Sequence, residues 1–180
     1  MIDFNLDIPR MGYIVLVERA SKDLIGGAIE RQQLAQGFAP EHAKYTHVVI
    51  SGGCNRKGDK VYIVNIQPPK ARLRDLLEAF AGRNIKVMRF KADADYSRIA
   101  YFAATLCDRP YDWLGVLKFK LGFLFQVKEK FFCSEGSAWA IRMEVPGFYG
   151  ALPDYKIMPA HYSASDELET VWEGIIPKEV

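Results

Sequence analysis

The chain has 180 residues, 49% of them hydrophobic and 13% aromatic, which is enough for a packed core and leads us to expect one domain over residues 1–180. Its 24 basic and 22 acidic residues leave a formal net charge of only +2, with both signs spread along the chain, which argues against nucleic acid as a partner. Three cysteines in a chain of this size imply no disulfide scaffold.

The opening "MIDFNLDIPR" carries two aspartates and no basic segment leading into an apolar run, so it does not read as a secretory signal, and the expected compartment is the cytoplasm. The β-branched run "GYIVLVE" (12–18) predicts a buried strand. In "SKDLIGGAIERQQLAQGF", Leu24, Ile25, Ala28, Ile29 and Leu34 fall near helical spacing and Ser21 is placed to cap. "YTHVVIS" and "KVYIVNI" predict two strands joined by the turn-forming "GGCNRKGD", the second ended by Pro68 and Pro69. "RLRDLLEAF" predicts a short amphipathic helix ending near Gly82, and "NIKVMRF" another strand. "DYSRIAYFAATLCD" predicts a helix with Ile99, Phe102, Ala103 and Leu106 on its buried stripe.

The apolar, helix-like "WLGVLKFKLGFLFQV" is interrupted by Lys118 and Lys120 and is shorter than the ~20 residues needed to span a bilayer, so no integral membrane segment is expected. "SASDELETVW" predicts a capped helix near the C-terminus. Hairpins with flanking helices make the expected fold class α+β, an antiparallel sheet packed against helices.

Three histidines are present, and His47 stands out because it occupies a strand position between Thr46 and Val48. A hairpin register pairing Ile50 with Tyr62 would set His47 opposite Asn65, whose amide could fix the imidazole's tautomer and orientation. A slip of two residues one way would bring Gln67 there instead, and the other way Ile63. Cys133, in "FFCSEGSAWA", precedes a helical pattern. At the first turn of a helix, unpaired N–H groups and the positive end of the macrodipole lower a thiol pKa and can donate to an oxyanion. A buried small hydrophobe is the alternative role for such a cysteine.

Other patterns carry less. "GCNRKGDK" fails as a phosphate loop because Asp59 stands where lysine is required and a strand follows. His42, His47 and Cys54 lack a second ligand pair, so neither a metal nor another cofactor is expected, and His161 is assigned to a loop. Glu135 and Asp112 read as helix-terminal, hydrogen-bonding residues, and Tyr111 as a pocket wall.

The order of "YTHVVIS", a second strand, and then "YDWLGVLKF" and "FFCSEGSAWA" resembles the circularly permuted papain-like cysteine hydrolases. These include NlpC-type and YiiX-like proteins and, more distantly, the lecithin retinol acyltransferase group. The resemblance runs from the first strand to about residue 142, with the histidine strand ahead of the cysteine helix. It implies a permuted papain-like fold and a cysteine peptidase or amidase that cleaves an amide or ester through a thiol acyl-enzyme. Cys133 would be the nucleophile, His47 the base and acid, and Asn65 the orienting residue, with Gln67 as the alternative third member and Tyr111, Ser134 and Glu135 near the pocket. YiiX-like proteins tend to carry an acidic residue on the strand after the histidine, where this chain has Asn65 or Gln67.

The expected substrate is a peptide, a lipid amide or an acyl group. The five phenylalanines of "FKLGFLFQVKEKFF" suit either core packing or an apolar groove. An acyltransferase, or a binding module on the same fold without turnover, remains the alternative.

Overall fold

Strands with the strongest β-branched signal lie at the middle of the sheet. The computed structural model describes residues 9–112 and 131–178. Its six strands are β1 (Ile14–Glu18), β2 (Tyr45–Cys54), β3 (Val61–Gln67), β4 (Lys70–Asp75), β5 (Asn84–Phe90) and β6 (Leu168–Ile175). They form one antiparallel sheet in the order β4-β3-β2-β1-β5-β6. The helices are α1 (Leu24–Ala35), α2 (Pro40–Ala43), α3 (Leu76–Phe80), α4 (Tyr96–Ala104), α5 (Cys133–Arg142) and α6 (Pro159–Ser163), so the architecture is α+β. Among the described residues no helix is long and apolar enough to cross a membrane.

Both faces of the sheet are covered, which is why the central strands read as continuous apolar runs rather than alternating ones. Ile14, Leu16, Val48, Ile50, Val64 and Ile66 pack with Ile99 of α4 and with Ala138 and Ile141 of α5. Val15, Val17, Val49, Ile63, Ile85 and Val87 pack on the opposite face with Leu76 and Phe80 of α3 and with Trp172.

Several expectations are corrected. The first half of "RLRDLLEAF" belongs to β4, and the helix begins only at Leu76, capped by Asp75, whose carboxylate accepts the N–H groups of Leu77 and Glu78. "SASDELETVW" is not a helix; its second half is the edge strand β6. The reason is cross-strand pairing, because Glu173 faces Lys86 and Glu169 faces Arg89 on β5, each with an ion pair, at 3.4 and 2.6 Å. His161 lies within α6, where its Nδ1 accepts the Met158 N–H, rather than in a loop.

Helix α1 is capped by Asp23, not Ser21. Its buried residues are Gly26, Gly27 and Gln33, while Leu24 is 87% exposed. Gln33 holds the helix down: its Nε2 donates to the carbonyls of Ala43 and Tyr45, and its Oε1 accepts the Ala160 N–H. The long apolar segment, with Trp113, Lys118 and Lys120, lies outside the described residues, as do all the phenylalanines of that region except Phe131 and Phe132.

Candidate active site

The site forms where β2 and β3 part. Their ladder runs from Cys54 opposite Val61 to Ile50 opposite Val64, with an irregularity between Ser51 and Gly53. The register therefore differs by two residues from the expected pairing of Ile50 with Tyr62. Extended along β2, it sets Gln67 across from His47 and makes Asn65 the diagonal neighbour on the same face. The N-terminal half of β2 keeps its partner β1, with Val48 opposite Leu16 and Val17 opposite His47, but lies beyond the end of the ladder to β3.

Asn65 reaches His47 across that diagonal: His47 Nε2 and Asn65 Oδ1 are 2.8 Å apart. With the amide oxygen as acceptor, Nε2 carries the proton and Nδ1 is the basic nitrogen. Asn65 is itself oriented, since its Nδ2 donates to Gln67 Oε1 at 3.2 Å. Both sequence candidates for the third residue thus belong to one relay, Asn65 directly and Gln67 behind it. His47 Nδ1 makes no hydrogen bond among the described residues, and the ring packs 5.8 Å from that of Phe80.

Cys133 opens α5 and is 4% exposed. The helix comes close to the sheet because residue 136 is glycine: a Cβ there would lie 2.4 Å from Ile66 Cδ1 and 3.1 Å from Leu106 Cδ1. Backbone hydrogen bonds from Val48, Ser134 and Cys133 itself favour the thiolate, as expected of a helix start, but burial outweighs them and pushes the thiol up to about 11. Burial also pushes His47 down to about 4, against the hydrogen bond it donates to Asn65. At neutral pH the resting groups are therefore an uncharged thiol and an uncharged imidazole, not the preformed ion pair that a helix-start cysteine suggests.

The two groups line one cleft of about 170 Å³, Cys133 from the α5 face of the sheet and His47 from the α3 face, together with Asp23, Ile25, Thr46, Gln67, Pro68 and Tyr111. Among the described residues no hydrogen bond joins thiol to imidazole. A second, more apolar and much smaller cavity of about 20 Å³, room for little more than one water, reaches Cys133 between Ile29, Phe132, Met158 and Pro159, with Tyr111 and Ser134 on its wall. Tyr111 therefore bounds both spaces, and burial pushes its phenol well above the ordinary range.

Ser134 and Glu135 are buried as well, with structural bonds. Ser134 Oγ donates to the Ile157 carbonyl at 2.6 Å, and the Ser134 carbonyl accepts from Tyr162 Oη. Glu135 Oε2 accepts the Phe132 N–H at 3.4 Å, a helix-start bond, and the Asp112 N–H donates to the Phe131 carbonyl. Sequence reasoning missed the part of the cleft wall that α1 supplies, Ile25 and Ile29. Their helical spacing was visible, but it reads as a core stripe rather than a cleft wall.

His42 and Cys54 stand apart from the cleft: His42 Nδ1 lies 3.0 Å from Ser163 Oγ, and Cys54 is exposed at the end of β2. Among the described residues no group of three or more His, Cys, Asp or Glu is placed to hold a metal ion. No family model matches the chain, and neither a curated protein nor a solved structure matches it.

Proposed function

We propose that the protein is a cysteine hydrolase of the permuted papain-like type that cleaves an amide or ester bond through a thiol acyl-enzyme. The observation that carries this reading is the shared cleft, which Cys133 lines from the α5 face of the sheet and which His47, held by Asn65 and with an unengaged Nδ1, lines from the α3 face beside Phe80. Cys133 Sγ attacks the acyl carbonyl as His47 Nδ1 takes the thiol proton. The Cys133 N–H, at the first turn of α5, donates to the oxyanion in this reading. His47 passes the proton to the leaving group, then accepts one from the water that attacks the thioester, and returns it to the departing sulfur. The acyl side, of a peptide, a lipid amide or a short ester, lies along the larger cleft beside Ile25, Ile29 and Pro68, since the apolar cavity of Phe132, Met158 and Pro159 holds little more than one water.

Because burial disfavours each charge alone, the ion pair forms only as substrate brings thiol and imidazole together. Incubation with p-nitrophenyl butyrate, acid quench and peptide mass mapping test the reading. We expect one butyryl group on Cys133, none in Cys133→Ala, and turnover slowed about 10²-fold or more in His47→Ala. Acylation spread over Cys54 and Cys107, or an unchanged rate in His47→Ala, overturns it. A binding module without turnover is the second reading, favoured by the neutrality of the resting pair; it requires that Cys133 remain unacylated.

A further inference from the structure

Strand β4 places Lys70, Arg72 and Arg74 at alternate positions, and alternate residues of a strand share one face. Across the ladder these three face Gln67, Asn65 and Ile63. Lys60 joins them on the wall of a groove of about 500 Å³, where Asp75 and Glu78 are the acidic members. Asp75 is engaged as the cap of α3, and Lys70 is paired with Asp108. Arg72 and Arg74 are exposed and make no ion pair or hydrogen bond among the described residues. Two arginines thus stand with their Cα atoms ~7 Å apart along the strand and their donors unused.

The groove adjoins the thiol cleft. Gln67 and Pro68 line both, and Asn65, bonded to His47 on one side, forms part of the groove wall on the other. We propose that this groove binds an oxyanion, a phosphate or a carboxylate carried by the substrate, through Arg72 and Arg74, while the scissile group lies at Cys133. Guanidinium forks match both oxyanions in shape and charge. The chain's near-neutral net charge makes this local excess a recognition feature rather than a general polyanion surface. The assignment rests on the hydrolase reading for its second half and stands without it for the first.

Two measurements separate these halves. Cys133→Ala protein is titrated with inorganic phosphate and with glutarate while backbone amide resonances are followed. Shifts concentrated on β3 and β4, weakened about tenfold or more in Arg72→Ala/Arg74→Ala and less in Arg72→Lys/Arg74→Lys, support the groove, and the better ligand identifies which oxyanion it takes. Shifts elsewhere, or equal binding by the double alanine variant, overturn it. In the intact protein, kcat/KM is compared for p-nitrophenyl esters with and without a terminal carboxylate. The double alanine variant is expected to lower the charged-to-neutral ratio about tenfold, and an unchanged ratio overturns the placement of the substrate's anion there. If neither ester is turned over while the resonance shifts appear, the hydrolase reading falls and the groove stands.

Discussion

His47 is held uncharged by its surroundings, and that has a cost in acid. Its pKa is pushed down to about 4 in the folded protein by burial, against an ordinary value near 6.5 in the unfolded chain. The unfolded state therefore takes up a proton that the folded state refuses. The contribution to stability is complete above pH ~6.5, falls as pH drops, and levels off below about 4, for a loss on the order of 3 kcal/mol. Urea titrations at pH 7 and pH 4.5 check this, and His47→Gln is expected to flatten that part of the profile. Cys133 runs the other way: its pKa, raised to about 11, is lost as a stabilising difference only as pH climbs from 9. Iodoacetamide in the absence of substrate is therefore expected to label exposed Cys54 well before Cys133 at pH 8. A Cys133 that reacts first would show that the thiolate is stabilised more than its burial allows.

At the level of elements, the position of Cys133 depends on how near α5 lies to the sheet. Gly136→Ala would force a Cβ against Ile66 Cδ1 and Leu106 Cδ1, and is expected to destabilise by about 1–3 kcal/mol while lowering activity. Ile66→Val removes the nearer methyl, so adding it to Gly136→Ala is expected to recover part of the loss, as measured by denaturant midpoints in a double-mutant cycle. Legibility in the sequence follows a related logic. The inner strands β1, β2, β3 and β5 were readable because burial on both faces demands continuous β-branched runs. The edge strands β4 and β6 read as helices, since their charged segments are fixed by partners distant in sequence, such as Lys86 for Glu173. The histidine and cysteine were readable from residue type and order. The register was not, because the irregularity at Ser51 to Gly53 shifts the pairing in a way no alternation records. His47 and Asn65 still meet because two strands in this orientation allow a diagonal contact as well as a direct one.

Over the whole molecule, β1 is the most protected strand, paired on both sides and covered on both faces. Native-state hydrogen exchange is expected to be slowest at Val15 and Leu16 and markedly faster at the β4 and β6 edges, in the order set by sheet position. An edge strand as protected as β1 would mean that another chain pairs with it in solution. The unpaired end of the β2–β3 ladder then has a consequence for how this fold can change. Continuing the ladder past Ile50 would satisfy more backbone groups, yet it would close the space that Cys133 and His47 share. Robustness and reactivity draw on the same backbone groups here, so selection for a tougher sheet would erase the cleft before it reached any side chain in it.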